Sequence, residues 1–290
     1  MRLDLYLAKK YPEYSRATWA KYIKSGFVLV NNKKPSGSDI VEDDDKIKIS
    51  LPDSKVEPVE FPVIYEDDDV VVINKPAGVL THSKGALNEE FTVSDFIRSR
   101  VKLSKSDTIS LNNRFGIVHR LDRGTSGVII GAKNEEALRK LQRQFSDRKA
   151  KKKYLAIVEK APKNKEFRID LPILRNPKTP AQFKVDSKGK SALTDVKIIE
   201  RLNDGRALLE LSPKTGRTHQ LRVHLAYIGS PIVGDVVYGN GKAGDRLMLH
   251  AKELEITLPN SERKIFLSNI PEEFTDFMKK QTRQNERFVN

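Results

Sequence analysis

One carboxylate set among cations is the feature of this sequence best suited to chemistry. His119-Arg120-Leu121-Asp122-Arg123-Gly124-Thr125-Ser126-Gly127 is a polar segment with two glycines, and it runs into the apolar Val128-Ile129-Ile130. Cations close to a carboxylate favour its ionised form, and an ionised carboxylate is what a covalent nucleophile requires. The same pattern also fits an aspartate that merely pairs with arginine in a turn.

Two further segments carry reactive or binding groups. Lys214 to His224 holds Arg217, Arg222, His219 and His224 in a short span after a glycine, Gly216. Arg217 is suited to bidentate pairing with a carboxylate or a phosphate. A zinc reading of His219 and His224 is rejected: five residues apart they do not share a helix face, and the segment offers no further carboxylate or thiolate. The third segment closes a basic run. Lys133, Arg139, Lys140, Arg143, Arg148, Lys149, Lys151, Lys152 and Lys153 are opposed only by Glu135, Glu136 and Asp147, and Tyr154 follows. Such a run is often just a solvated face, but cations beside an aromatic also suit phosphate contact and base stacking. For Tyr154 the plainer reading is a core tyrosine.

The elements that must position these groups read as α+β. Leu3, Leu5, Leu7 and Ala8 open a helix. Ser15 caps a second one that ends at Gly26. Phe27 to Val30 and Asp45 to Ile49 read as strands, with a turn at Asn31-Asn32. Leu51 to Pro62, with Pro52, Pro58 and Pro62, reads as connecting chain. The expected division is a small α+β unit over 1–52, a linker over 53–61 and a larger domain over 62–290. In the larger part, Val70 to Ile73, Val128 to Ile130, Tyr154 to Val158 and Leu208 to Leu211 read as strands. Glu135 to Phe145 reads as a helix with Ala137, Leu138, Leu141 and Phe145 on one face, and Thr218 to Tyr227 as another. The order lacks regular βαβ alternation, which predicts a mixed, mostly antiparallel sheet.

Composition narrows the function classes. The 290 residues include 53 Lys and Arg against 39 Asp and Glu, a net charge of +14, which points to a polyanionic partner. With no cysteine, disulfides and thiolate chemistry are excluded. No apolar stretch reaches membrane-span length and no signal-peptide pattern opens the chain, so a cytoplasmic protein is expected. A metal-dependent nuclease would need a carboxylate cluster, and Asp67-Asp68-Asp69 reads as a turn.

At these residues the sequence resembles the RluA-type pseudouridine synthases of ribosomal RNA. His119 to Gly127 matches their aspartate segment nearly residue for residue. Thr215 to Arg222 resembles their arginine-bearing segment, which Gly229 to Asp235 and Tyr238-Gly239 continue. Asn74-Lys75-Pro76-Ala77-Gly78 is similar to their first motif, and Lys153-Tyr154-Leu155-Ala156 to their tyrosine motif. The stretch from Ser83 to Phe91 departs from the pattern. The N-terminal unit is similar to the S4 RNA-binding domain, through Arg2-Leu3-Asp4, Ser15-Arg16, Gly26 and Val28 to Asn31.

The resemblance implies a catalytic set of Asp122, Tyr154 and Arg217, with Arg217 pairing with Asp122, Tyr154 stacking on the uracil and helping to remove the C5 proton, and Leu221 walling the base pocket. It implies RNA contacts from Arg120, Arg123, Lys75, Lys153, His219, Leu221 and Arg222, and from Arg16, Lys21 and Lys24 in the S4-like unit. It implies a monomer acting on structured RNA, ribosomal RNA first and transfer RNA as the alternative, with neither cofactor nor metal. A non-catalytic S4-type RNA-binding protein is the competing class.

Overall fold

A computed structural model describes residues 1–12, 14–42, 44–50, 57–83, 90–101 and 115–286. The N-terminal unit consists of helices α1 (Leu3–Lys10) and α2 (Arg16–Lys24) and strands β1 (Val28–Val30) and β2 (Ile47–Ile49), which pair antiparallel. Ser15 Oγ accepts from Thr18 N at 3.2 Å and caps α2. Leu3 and Leu7, one helical turn apart, join Trp19, Tyr22, Ile23, Val28 and Val41 in a core of their own. Leu5, expected to share this pattern, stands exposed on the other side of α1. The Asn31-Asn32 turn closes a bridge between Val30 and Lys33; it does not join β1 directly to β2.

The larger part is built on a nine-stranded sheet in the order β3-β4-β5-β12-β6-β11-β10-β7, with β13 paired to β12. Its strands are β3 (Val63–Glu66), β4 (Val70–Lys75), β5 (Ser126–Ala132), β6 (Lys151–Val158), β7 (Glu166–Asp170), β10 (Leu193–Arg201), β11 (Ala207–Pro213), β12 (Leu249–Thr257) and β13 (Arg263–Leu267). The short pair β8 (Ile173–Arg175) and β9 (Phe183–Val185) stands apart from it. Every pairing in the large sheet is antiparallel except β5 with β12. The fold is thus α+β with a mixed, mostly antiparallel sheet.

Strand alternation divides the core. Val70, Val72, Val128 and Ile130 face one side, where helix α4 (Glu135–Ser146) seats Ala137 and Leu141. Val71, Ile73 and Ile129 face the other, where α3 (Val93–Ser99) seats Phe96 and Ile97. Burying a leucine such as Leu141 contributes about 1.5–3 kcal/mol. Helices α5 (Gln220–Tyr227) and α6 (Glu272–Glu286) complete the chain, and Leu221, Leu225 and Phe274 join the core around β6 and β11. The one parallel pairing depends on Gly127: at φ +115°, a Cβ there would lie 2.2 Å from the carbonyl oxygen of Ala251.

Candidate active site

Asp122 lies in the loop that enters β5, and that loop is fixed from several sides. Thr81 Oγ1 donates to Leu121 O at 2.8 Å and accepts from Leu121 N at 3.2 Å. Thr125 N donates to Asp122 O at 3.1 Å, closing a turn on the aspartate. Lys75 is fully buried, and its ammonium donates to the carbonyls of Pro76 and Val79 at 2.8 Å and of Arg123 at 3.3 Å. Burial pushes Lys75 down to about 7; Arg246 and Arg123 add to the shift and Asp122 opposes it. Arg246 reaches the far side of the loop, donating to Gly124 O at 2.8 Å and Ser126 Oγ at 2.6 Å.

His119, the first residue of the motif, has a packing role. Its ring stacks on Phe145 at 4.5 Å, and its Nε2 accepts from Ile130 N at 3.1 Å. Burial, reinforced by Lys152, holds its pKa at about 3, so the ring is neutral.

The guanidinium beside Asp122 comes from α5. Arg222 Nη1 lies 3.5 Å from Asp122 Oδ2, while its Nε and Nη2 both bond to Asp235 at 2.8 Å. Asp235 also accepts from the backbone N–H groups of Val237 and Tyr238. Burial opposes ionisation of Asp235, but Arg222 and these two N–H groups hold its pKa below the usual carboxylate value. Arg222 therefore arrives at Asp122 already oriented by a buried bidentate pair.

Arg217 was expected in that place. It lies before the helix, where Gln220 Oε1 accepts from its N–H at 3.0 Å, and its Nε donates to Ser191 O at 3.1 Å. The helix begins at Gln220 rather than Thr218 because His219 adopts a left-handed conformation, φ 56°. That break separates Arg217 from the helical run and leaves Arg222 to face Asp122. Positive φ in a non-glycine residue is a strained state that clusters at working sites.

His219 itself is nearby, with Nε2 at 3.9 Å from Asp122 Oδ2. Tyr238 Oη accepts from Phe183 N at 2.8 Å and shares a 2.8 Å hydrogen bond with His219 Nδ1. Burial lowers the His219 pKa; Asp122 opposes the shift and Arg222 adds to it. A neutral ring that accepts from Tyr238 Oη at Nδ1 carries its proton on Nε2, which faces Asp122 from beyond hydrogen-bond distance. His224 is occupied elsewhere, between Thr194 Oγ1 and Leu171 O.

Tyr154 enters from β6. Its phenol pKa is pushed up by burial and then by the nearby charge of Asp122. It keeps its proton at neutral pH and offers a ring face and an O–H.

These three segments enclose a cavity of about 600 Å³. Asp122, Tyr154, Leu221, Arg222, His219, Arg120 and Arg217 all line it. Asp122 is the single carboxylate among the described lining residues, against Arg120, Arg148, Lys152, Lys214, Arg217 and Arg222. The remaining expected contacts are placed otherwise. Lys75 is sealed inside the loop and offers no surface to RNA. Arg123 pairs with Glu90 and donates to Gly78 O. Lys153 pairs with Glu253, on the strand face away from Tyr154. In α2, Arg16 is held by Asp4 at 3.0 Å, while Lys21 and Lys24 are exposed. Asp235, Tyr238 and Gln220 gave no sign of their roles in sequence beyond standing in or beside the later motifs. Among the described residues no group of three or more His, Cys, Asp or Glu could hold a metal ion.

Comparison with known proteins identifies the family. A family model described as RNA pseudouridylate synthase matches residues 69–227, and an S4 domain model matches residues 1–47. A protein named ribosomal large subunit pseudouridine synthase D from Borreliella burgdorferi is 40% identical, over 96% of this chain and 89% of its own. One of the same name from Xanthomonas campestris is 34% identical over 96% and 88%. Among solved structures, human RNA pseudouridylate synthase domain containing 1 superposes with a TM-score of 0.59 at 30% identity, covering 74% of this chain and 87% of that one.

Proposed function

Because the chain belongs to the RNA pseudouridylate synthase family and carries an S4 domain, we propose that it isomerises uridines of ribosomal RNA, with Asp122 as the reacting carboxylate. It is a pseudouridine synthase, an isomerase acting on RNA. The observation that carries the role of Asp122 is its isolation: it is the one carboxylate among the described residues lining a cavity that also carries six Lys and Arg side chains, and it sits beside Arg222.

The reaction breaks the N1–C1′ bond, turns the base and joins C5 to C1′; the C5 proton leaves and N1 gains one. It is redox-neutral and uses only bonds of the substrate. An ionised Asp122 can attack C1′ or C6, or take a sugar proton, and the site geometry is open to all three. Arg222, held by Asp235, aims a guanidinium at the carboxylate from 3.5 Å. Leu221 gives the base an apolar wall. Tyr154 stacks on the uracil; with its phenol pKa raised, it does not act as a resting tyrosinate base. The target nucleotide must leave its stack to reach the cavity, at a cost of a few kcal/mol. Cations such as Arg120 on the rim, together with Lys21 and Lys24 in the S4 unit, offset part of that cost by holding phosphates.

Relatives named for the large ribosomal subunit favour ribosomal over transfer RNA. Residues 1–52 serve as the RNA-holding unit, 53–61 as the connection and 62–290 as the catalytic domain of a monomer. No described helix is long and apolar enough to cross a membrane; separately, the proposed rRNA substrate supports a cytoplasmic setting. The test is tritium release from C5-labelled, unmodified ribosomal and transfer RNA, with and without EDTA. EDTA-resistant release from ribosomal RNA alone is expected; release from transfer RNA alone would reassign the substrate, and binding without release from either would favour a non-catalytic RNA-binding protein.

A further inference from the structure

We propose that Lys152, with Arg148 at the same end of the cavity, forms a phosphate-binding subsite for the RNA backbone beside the target uridine. This rests on the reading of the cavity as an RNA site.

The Lys151-Lys152-Lys153-Tyr154 run is split by strand alternation. Lys151 and Lys153 lie on one face of β6, where β12 supplies a partner to each. Lys151 pairs with Glu255 and Lys153 with Glu253, both at 3.1 Å. Lys152 and Tyr154 share the other face, and both line the cavity. The residue opposite Lys152 on β12 is Leu254, which brings no charge. Among the described residues Lys152 has no carboxylate within ion-pair distance, and the cavity's carboxylate, Asp122, lies beside Arg222 instead.

A largely buried ammonium without a counter-ion is costly, and here burial pulls its pKa down. Two neighbours locate its head. Lys152 is close enough to His119 to lower that ring's pKa, and a Cβ built on Gly216 would lie 3.8 Å from Lys152 Nζ. The ammonium therefore sits between the His119–Phe145 stack and the bare turn at Gly216. Because Gly216 has no side chain, the ammonium stays open on that side. Arg148, just past the end of α4 at φ 60°, is exposed on the same cavity and also has no acidic partner within ion-pair distance among the described residues. Two uncompensated cations at one end of a cleft whose single carboxylate is elsewhere fit a phosphodiester. A lysine there acts as a point charge with three donors.

The test measures binding of a ribosomal RNA stem-loop across a salt series, in an Asp122→Asn background so that no turnover intervenes. Lys152→Gln and Lys151→Gln remove the same charge from opposite faces of one strand. If the subsite exists, Lys152→Gln weakens binding at low salt and reduces the slope of log K against log salt by about 0.7–0.9. Lys152→Arg keeps the parent slope, and so does Lys151→Gln. Arg148→Gln, at an exposed position, repeats the loss without disturbing the interior. Equal slopes for Lys152→Gln and Lys151→Gln, with Arg148→Gln also unchanged, would overturn the proposal. A loss of binding that is independent of salt in Lys152→Gln would overturn it too, since a base contact releases no counter-ion. Wild-type protein that binds with the expected slopes yet releases no tritium would overturn the isomerase reading and leave the subsite standing.

Discussion

Asp4 and Asp122 are both carboxylates approached by arginine, and the molecule uses them oppositely. Asp4, in the N-terminal unit, accepts from Arg2 Nη2 at 3.1 Å and Arg16 Nε at 3.0 Å with its side chain nearly sealed from solvent. Asp122 has one guanidinium at 3.5 Å, and that guanidinium makes its shorter bonds to Asp235. The first carboxylate is saturated by its partners and ties α1 to α2. The second is flanked but left with free acceptor capacity toward a cavity. A structural ion pair consumes its lone pairs; a reactive carboxylate has to keep some.

The largest expected effect on the scaffold comes from breaking the pair that orients Arg222. Arg222→Gln leaves Asp235 buried without its counter-charge, a loss of about 3–5 kcal/mol, read as a lower midpoint in thermal unfolding. Arg222→Gln combined with Asp235→Asn should recover part of it, because the double variant buries no lone charge. Additive losses in that cycle would show that the two residues act independently.

A smaller effect is expected at Lys75. Lys75→Met strands three backbone carbonyls, at about 1–3 kcal/mol for a buried unsatisfied group, and loosens the loop carrying Asp122. Tritium release should fall along with stability. A variant as stable and active as the parent would show that the Pro76 to Gly78 turn is held by other contacts.

Asp4→Asn comes next, with about 1.5–3 kcal/mol expected for hydrogen bonds to a charged group, against three carbonyls stranded at Lys75. The pH dependence has a definite sign. Burial tends to raise the Asp4 pKa, but hydrogen bonds and charges from Arg2 and Arg16 outweigh it and the net shift is downward from 3.8. Its stabilisation is therefore complete above pH 3.8 and is lost as pH falls through the depressed folded value. Acid titration of the intact chain, followed by Trp19 fluorescence, should show this loss in the parent and its absence in Asp4→Asn. The smallest effect belongs to Lys21→Gln and Lys24→Gln, which should each reduce the salt slope of RNA binding by at most about 0.7–0.9 without changing the unfolding midpoint.

How far the sequence was readable follows the range of the interactions involved. Helix α2 was legible because Ser15, its apolar spacing and Gly26 are all local signals. Helix α4 was legible because Ala137 and Leu141 repeat at helical spacing, and β5 because Val128 to Ile130 is a continuous apolar run, as in a strand buried on both faces. The loop at Asp122 was singled out by motif resemblance, and the fold sets Asp122 in the wall of the cavity. The partner of Asp122 was not: Arg217 and Arg222 stand in one short segment, and only the left-handed turn at His219 decides which reaches across 100 residues of sequence. Likewise Lys152 and Lys153 are indistinguishable in sequence until β6 is placed beside β12. The strands from β7 to β10, and β12 and β13, carry mixed polar and apolar residues whose facing depends on neighbours brought in by the fold.

The most direct test of the central claim is single-turnover isomerisation at saturating RNA by Asp122→Asn beside Asp4→Asn, with RNA affinity measured for both. The account predicts that Asp122→Asn binds RNA but releases no tritium from C5-labelled uridine, while Asp4→Asn still does so where folded. Release by Asp122→Asn at the parent rate would contradict it.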